Sequence, residues 1–244
     1  MFAMVRSGWI LLLTASCGFE AGDATSTIDA SAIDARTIDA SVDGATTDDA
    51  AIDAPGVIDS SIDGPPVSAS TTNHPSVADT FISTVMPTTN FNDQTSALSD
   101  GDGRVVVIRF DLTAISAGAA VTAAELHIWS DSDPGQTCTF YPLLQAWTES
   151  TATWNQRASG TAWAAAGAAP PSRSTLGAGT VLPTSANTEY TVTIDPAVVA
   201  GWIATPATNN GFAIVSVNVD GARFSTREHP TTTHRPYLRV THAP

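Results

Sequence analysis

The chain beyond residue 75 alternates apolar and polar side chains in short runs, and Gly, Pro, Asn or Asp residues separate these runs. A period of two residues is typical of strands with one buried face, whereas a helix would require a sustained period of about 3.6. Nine segments follow the strand pattern: 78–85, 97–99, 105–112, 121–130, 137–144, 189–194, 211–218, 223–227 and 237–242. They predict an all-β fold, an antiparallel β-sandwich or jelly roll.

One short helix is predicted within this sandwich, at residues 196–204. Asp195 precedes it and can cap its first turn, and Pro196 suits the first helical position. Three apolar side chains share one face of the helix: Val198, Val199 and Trp202. We expect this face to close one end of the sandwich.

The stretch 158–187 is rich in Ala, Gly and Pro and is predicted as a long connection. It is longer than most loops in compact domains. We expect Trp163, Leu176 and Leu182 to anchor it against the sandwich, because large apolar side chains are usually buried.

Residues 27–64 repeat a short unit, as in TIDA, AIDA, SVDG and SIDG, with Asp in nearly every copy. The segment 18–66 contains 11 of the 24 acidic residues and a single arginine, Arg36. Such a sequence buries too little apolar surface to offset its ordering entropy, and its like charges extend it. We therefore predict a disordered acidic linker at residues 18–75. A calcium-binding repeat is the alternative, although its glycine-rich nonapeptide pattern is absent.

The first residues have one positive charge at Arg6 and a short apolar core, followed by small residues before Cys17. This apolar core is far shorter than the roughly 20 residues that span a bilayer, so it predicts an export signal. It resembles a bacterial lipoprotein signal, which implies a signal peptide at residues 1–17, cleaved before a lipidated Cys17. The protein would then be anchored in the outer membrane or at the cell surface. Because Leu13 lies four places before Cys17 rather than three, cleavage near Ala15 and secretion is the alternative.

The chain has two cysteines, Cys17 and Cys138. If Cys17 is acylated, Cys138 has no partner and is predicted to be a small buried apolar residue in a strand. A disulfide between them is the alternative, and it would tether the linker to that strand. The part of the chain after the linker has about 170 residues, and a domain of that size can fold without disulfides.

The least generic run of the chain is WTESTATWN at residues 147–155, which contains Trp147 and Trp154. Large indole rings usually lie where they bury area and where the N–H finds an acceptor. We therefore predict that both rings fill the core at a corner between a strand and a loop. A platform for a ligand is the alternative for either ring.

Four segments together resemble a known family. They are ADTFI at 78–82, RVVVIRFDL at 104–112, WTESTATWN, and FSTRE at 224–228 with RPYLRV at 235–240. In this order they are similar to the DNRLRE domain family, which is related to archaeal disaggregatase repeats and to a family of carbohydrate-binding modules. The resemblance covers nearly all of residues 76–244. It implies an antiparallel β jelly roll on extracellular proteins, often linked to polysaccharide binding, but it implies no particular ligand.

Composition excludes several function classes. All ten basic residues are arginines, so neither a Schiff base nor a lysine nucleophile can form. The part of the chain after the linker is mildly acidic and has no basic surplus to neutralise phosphates, so nucleic acid is not expected as a partner. The motifs HExxH and GxSxG and the P-loop are absent, and no catalytic residue or enzyme activity is predicted.

No metal or other cofactor is predicted. His229 and His234 lie five residues apart in a Thr-rich loop and are predicted to be solvated. Two pairs of turn carboxylates could bind calcium through their oxygens. These are Asp100 with Asp102 and Asp131 with Asp133. Ordinary turn chemistry is the alternative for both pairs.

The alternation of side chains along the strands indicates candidate ligand-binding residues. Within 121–130, Leu126 points to one side of the strand, and His127 points to the other. If the strands are neighbours, one sheet face contains six such side chains: Arg109, His127, Trp129, Arg227, Tyr237 and Arg239. Sugar rings stack on aromatic side chains, and guanidinium groups bind carboxylates or hydroxyls. The alternative is a structural network in which the arginines pair with Glu125, Asp111 and Glu228.

Together these features predict a cell-surface lipoprotein whose β-sandwich binds polysaccharide without cleaving it. An acidic glycan such as a uronate polymer would suit a face with several arginines. Two alternatives are a structural or adhesion module of the cell surface or extracellular matrix, and a polysaccharide-degrading enzyme that uses Tyr237 or His127 as a base.

Overall fold

A computed structural model describes residues 68–244 of the chain, and these residues form twelve strands and one α-helix. The strands are β1 (Ser70–Ser83), β2 (Ser96–Ser99), β3 (Arg104–Phe110), β4 (Ala120–Ser130), β5 (Cys138–Pro142), β6 (Gln156–Ala158), β7 (Thr161–Ala162), β8 (Gly179–Val181), β9 (Thr188–Ile194), β10 (Phe212–Ser216), β11 (Ala222–Ser225) and β12 (Tyr237–Ala243). Helix α1 is Pro196–Ala204.

Ten of these strands form two antiparallel layers. Sheet A contains β9, β4, β12 and the first half of β1, with β11 and β2 beyond the end of β4. Sheet B contains the second half of β1, then β3, β10, β5 and β8. The remaining strands, β6 and β7, pair with each other. The predicted all-β antiparallel sandwich is therefore confirmed.

Strand β1 belongs to both sheets. Residues 70–75 pair with β12, and the residues from Ser76 onward pair with β3. The register shifts between Ser76 and Ala78, which is the signature of a β-bulge. Bulges bend a strand and increase its twist, and this one lies where β1 passes from one layer to the other.

The main core lies between the sheets. Sheet A contributes Leu126, Ile128 and Leu238, and sheet B contributes Phe140 and Phe212, all of them fully buried. Each such side chain stabilises the fold by about 1.5 to 3 kcal/mol relative to an exposed position. The main core also contains four residues from α1 and β5: Val199, Trp202, Ile203 and Cys138.

Cys138 has the buried position that the sequence predicts. Burial raises the pKa of its thiol to about 11, so the thiol stays protonated and unreactive at neutral pH. It is a free cysteine among residues 68–244, whereas Cys17, the signal peptide and most of the acidic linker lie outside the described residues.

A second core covers the outer face of sheet B. Val107 and Ala213 point away from sheet A and pack against the segment that follows β5. Trp147 and Trp163 are the largest buried side chains of that segment. Sheet B is therefore buried on both faces, which explains why β3 has an almost unbroken apolar run.

The nine predicted strands and the predicted helix are all present. Strands β6, β7 and β8 are additional and lie in or beside the predicted connection, and β1 begins within the predicted linker. Trp163 anchors the connection as predicted, but Leu176 is 77% exposed and Leu182 is 49% exposed. The prediction for the two leucines was wrong because small residues such as Ala168 and Ala178 fill the contact instead.

Helix α1 has the predicted cap, since Asp195 Oδ1 accepts a hydrogen bond from the Ala197 backbone N–H at 2.9 Å. Val199 and Trp202 are buried and Val198 is partly buried, so the predicted apolar face packs on the core. Nowhere in residues 68–244 does a helix combine the length and apolar character that crossing a bilayer requires.

Candidate functional site

The outer face of sheet A is the open sheet face of the sandwich within residues 68–244, because the segment after β5 covers sheet B. The side chains that β4 presents there alternate with its buried residues, as the period-two pattern predicts. Strands β9 and β12 flank β4 and add their own outward side chains. We call the resulting row the outer-face strip, and it consists of Glu125, His127, Trp129, Glu189, Tyr237 and Arg239.

The centre of the strip is a stacked pair of rings. His127 and Tyr237 are register partners on β4 and β12, and their ring centroids lie 4.4 Å apart with an interplanar angle of 6°. His127 Nδ1 lies 3.2 Å from Glu189 Oε1, and His127 Nε2 lies 3.7 Å from Glu125 Oε2. The imidazole is thus held between two carboxylates and a phenol ring, in a fixed orientation.

Trp129 extends the strip toward the loop before β12. Its indole stacks on His234 at a centroid distance of 3.6 Å, and His234 stacks in turn on His229 at 4.8 Å. The indole N–H of Trp129 has no hydrogen-bond partner among the described residues. These rings form a half-buried aromatic surface of the kind that packs against the C–H face of a sugar.

Arg239 occupies the other end of the strip. Its Nε donates to Asn73 Oδ1 at 3.2 Å, and its Nη1 lies 3.7 Å from Glu125 Oε2. Its guanidinium carbon also lies 5.8 Å from the centre of the Tyr237 ring. Burial, followed by the neighbouring Glu189 carboxylate, raises the pKa of Tyr237, so this phenol stays protonated at neutral pH.

The structure brings four of the six predicted residues together and separates the other two. Arg109 lies on β3 of sheet B, with its guanidinium 5.7 Å from the Trp147 ring. Arg227 follows the end of β11 and forms a partly buried ion pair with Glu149. The prediction of one shared face was therefore wrong for Arg109 and Arg227. Alternation fixes the side of a strand on which a residue lies, but not the sheet to which that strand belongs.

The structural alternative for the arginines holds in part. Arg227 Nε lies 2.9 Å from Glu228 Oε1, and Arg239 contacts Glu125 across the two strands. Arg109, by contrast, has no ion-pair or hydrogen-bond partner for its side chain within residues 68–244. Its positive charge only contributes to the lowered pKa of Asp111.

Three of the segments that resemble the family converge on one buried group. Asp79 comes from ADTFI, Glu149 from WTESTATWN, and Arg227 and Glu228 from FSTRE. Glu149 accepts two hydrogen bonds from the Arg227 guanidinium and a third from the Asp79 backbone N–H at 2.8 Å. We call these four residues the carboxylate–arginine cluster, and it joins β1, the WTESTATWN loop and the end of β11.

Asp79 is the most buried member of this cluster. Burial and then the nearby Glu228 carboxylate raise the pKa of Asp79 to about 7, against the opposing effect of a hydrogen bond from Ser76 Oγ. Within residues 68–244, only Asp79, Glu149 and Glu228 have carboxylates at metal-ligand spacing. The turn carboxylates have other partners instead: Asp100 pairs with Arg104, and Asp131 accepts from Ser225 Oγ.

Trp147 is a core residue, as predicted. It is 3% exposed, and its Nε1 donates to the Asn210 carbonyl at 2.8 Å. Trp154 is half-buried and packs on Gly167, at a point where a β-carbon would collide with the indole. Both rings therefore hold the WTESTATWN loop against sheet B.

Sequence reasoning missed one member of the outer-face strip, Glu189, and several residues outside the strip. Glu189 was only a strand terminus in the pattern, and His229 and His234 were predicted to be solvated, whereas they stack beside Trp129. Glu149 was not identified as a candidate for any role. The one signal that could have identified Glu149 and Arg227 is their place in the segments that resemble the family.

One comparison with known families gives a match. The description of that family is Carbohydrate-binding module family 96, and the match covers residues 70–242, from the first residue of β1 into β12. No curated protein matches the chain. The match confirms the carbohydrate-binding-module part of the resemblance, while the DNRLRE family stays a prediction. Since the match covers more than half of the chain and the whole sandwich, the protein belongs to carbohydrate-binding module family 96.

Proposed function

We propose that the sandwich binds a polysaccharide along the outer-face strip without cleaving it. Family membership supports carbohydrate binding by a non-catalytic module. The observation that carries the choice of site is the stacked arrangement of His127 with Tyr237 and of Trp129 with His234 on the open sheet face. From Glu125 to Trp129 this row extends for about 13 Å along β4, which suits an extended polymer.

The charges of the strip favour a neutral glycan. The expectation of an acidic glycan depended on several arginines sharing one face, but Arg239 is the strip's only arginine. The strip also has two carboxylates, Glu125 and Glu189, on either side of His127, and Glu125 lies 3.7 Å from Arg239 Nη1. A uronate polymer would meet like charges there, whereas neutral hydroxyls can bond both to the guanidinium and to the carboxylates.

The side-chain chemistry disfavours Tyr237 as the base of the enzyme alternative. A general base works best when its pKa lies near the operating pH. The pKa of Tyr237 is raised from an already high ordinary value, which is the wrong direction for a base at neutral pH. We expect the protein to release neither unsaturated nor reducing ends from any polysaccharide it retains.

Retention on insoluble polysaccharides tests the proposal. We expect the full chain to bind to at least one member of a panel of cellulose, chitin and insoluble xylan, and Trp129→Ala and Arg239→Ala to weaken retention about tenfold each. Arg157→Ala is the matched control, because Arg157 lies in β6, away from sheet A. Equal retention of all three variants would overturn the choice of site, and no retention by any polysaccharide would favour a structural or adhesion role.

We also infer that the protein is a lipoprotein of the outer membrane or cell surface. The support is the sequence alone: the charged and apolar start, Cys17, and the Asp-rich linker that would hold the sandwich away from a membrane. Expression of the full chain in a bacterium tests this. Wild-type protein is expected in the membrane fraction with a lipid on Cys17, and Cys17→Ala in the soluble fraction, so equal partitioning of the two would contradict it.

A further inference from the structure

A second concave surface lies at one end of the sandwich, away from the outer-face strip. It is a cleft of about 570 Å³ between the end of β3, the loop that follows it, and the segment from α1 to Asn209. This volume is within the range of about 300 to 1,000 Å³ that small-ligand sites occupy. We call it the end cleft.

The side chains of the end cleft divide into an apolar part and a polar part. The apolar part includes residues that also belong to the main core, among them Leu112, Ile115, Trp202 and Ile203. The polar part comes from Arg109, Asp111, Thr113, Ser116 and Asn209. An apolar surface with a few convergent polar groups is the usual composition of a small-molecule site.

Arg109 has a side chain without a polar partner in the described part of the fold. Its side chain is half-buried and makes no hydrogen bond or ion pair within residues 68–244. The Trp147 ring lies 5.7 Å from its guanidinium carbon and limits where it can move. The five N–H donors of its guanidinium group therefore lie at the cleft without an acceptor among residues 68–244.

Asp111 faces the same cleft and is already fixed in place. Its Oδ1 accepts hydrogen bonds from the Thr113 backbone N–H at 2.9 Å and from Thr113 Oγ1 at 2.7 Å. These bonds lower the pKa of Asp111, so it is ionised at neutral pH, and its Oδ2 has no protein donor in the described part of the chain. The cleft thus offers a row of donors and a free acceptor two residues apart.

Asn209 adds a third fixed polar group. Its Nδ2 donates to the Phe110 carbonyl at 2.9 Å, which sets the orientation of the amide. Its buried Oδ1 has no partner among residues 68–244. Buried acceptors without a donor are rare and costly, so the wall of the cleft contains a polar atom that the described residues leave unpaired.

We propose that the end cleft is a second sugar-binding site, separate from the strip, and that it takes one or two units of a neutral saccharide. Vicinal hydroxyls both donate and accept, so one pair can bond to Arg109 as acceptor and to Asp111 as donor. The ring's C–H face lies on the apolar part of the cleft. Arg109 and Asp111 bring opposite charges, so the cleft has no net charge that would select an acidic sugar.

Chemical-shift mapping of the full chain tests this with three neutral disaccharides, cellobiose, chitobiose and maltose. We expect at least one of them to shift backbone amides in residues 109–117 and 202–209. Arg109→Ala and Asp111→Ala should each weaken that disaccharide about tenfold, because each removes hydrogen bonds to a charged group. Thr113→Val, which removes one of the two hydrogen bonds that hold the Asp111 carboxylate and keeps the one from the backbone N–H, should weaken it less. Arg223→Ala, a change on sheet A, should have no effect.

Three outcomes would overturn the end cleft as a neutral-sugar site. The first is no shift with any of the three disaccharides. The second is that digalacturonate binds more tightly than all of them. In the third, the shifts are confined to the strip and are lost in Trp129→Ala but not in Asp111→Ala, which would support the proposed function while removing this one. The opposite result is also distinguishable. If the disaccharide shifts amides of the end cleft and Trp129→Ala retains the polymer normally, the strip is not the polymer site, whereas the proposal for the end cleft stands.

Discussion

Arg227 and Glu149 form a bidentate ion pair across 78 positions of the chain, with Nε donating to Oε1 at 2.8 Å and Nη2 donating to Oε2 at 2.7 Å. The pair fastens the WTESTATWN loop to the end of β11. Glu149 also accepts the Asp79 backbone N–H, so β1 is held at the same point. A planar guanidinium meets a carboxylate in this geometry with more strength and direction than a lysine would.

Removing this carboxylate should destabilise the fold. We expect Glu149→Ala to lower the free energy of unfolding by about 2 kcal/mol, because the guanidinium and the Asp79 N–H lose their shared acceptor. Urea denaturation measures the change. Glu125→Ala is the control, since its contact with Arg239 is exposed and 3.7 Å long, and it should cost less than about 0.5 kcal/mol. Equal effects would show that the pair contributes no more than a surface contact.

Stability should depend on the protonation of Asp79. Its folded-state pKa of about 7 lies above its ordinary value of 3.8, so the folded state binds this proton more tightly than the unfolded state does. The resulting stabilisation is fully present below about pH 4 and is lost as the pH rises to about 7. The stability difference between wild type and Asp79→Asn should therefore fall over this range, on the order of 1 kcal/mol per pH unit.

Thermal or urea unfolding of both proteins at several pH values measures this difference. The comparison cancels most of the contribution of His74, whose pKa is lowered by burial, and of Asp111, because neither lies in the cluster. A difference that stays constant between pH 4 and pH 7 would contradict a raised pKa for Asp79.

Trp147 should matter for stability and not for sugar retention on the strip. Trp147→Phe removes the hydrogen bond to the Asn210 carbonyl and leaves a void in the second core, so we expect a loss of about 2 kcal/mol. Polymer retention by the folded variant should be unchanged. Leu176→Ala, at an exposed position of the connection at residues 158–187, should change stability by less than about 0.5 kcal/mol. Reduced retention with unchanged stability would instead make Trp147 a ligand platform.

Gly211 should tolerate no side chain. Its φ of +78° is in the left-handed region, and an added β-carbon would collide with the Ile108 carbonyl of β3. We expect Gly211→Ala to lower the free energy of unfolding by more than about 3 kcal/mol or to prevent folding, because β10 could not keep its register with β3. Circular dichroism and urea unfolding measure this effect. Gly118→Ala, in open space, should be close to neutral, and comparable losses in the two variants would contradict the explanation.

The carboxylate–arginine cluster shows which information the sequence alone lacked. Each of its residues lies in a segment that resembles the family, yet only the pairing of an arginine with Glu228 was among the sequence-based alternatives, and neither Asp79 nor Glu149 was identified as a partner. Asp79 and Arg227 are 148 positions apart, and only the path of β1 and β11 through the two sheets brings the Arg227 N–H within 3.0 Å of the Asp79 carboxylate. The spacing of residues along the sequence does not predict such a path.

The outer-face strip shows the same limit of sequence-based prediction, here at the proposed binding site. Alternation correctly placed His127, Trp129, Tyr237 and Arg239 on the outward sides of their strands, and the register of β4 with β12 then made them neighbours. The same alternation placed Arg109 on the outward side of β3, but β3 belongs to the other sheet. A prediction about one strand was therefore correct, and a prediction about several strands required the strand order.

The sequence by itself determined the nine strands of the alternating pattern, the capped helix, the burial of Cys138 and Trp147, and the resemblance that family membership bears out in part. These are local or burial properties, and side-chain period, turn residues and apolar character decide them within a few neighbouring residues. Only the tertiary structure decided which strands share a sheet, which sheet face is covered, and which charges meet. Those relationships depend on contacts between segments far apart in the chain, and many strand orders are compatible with the same alternation.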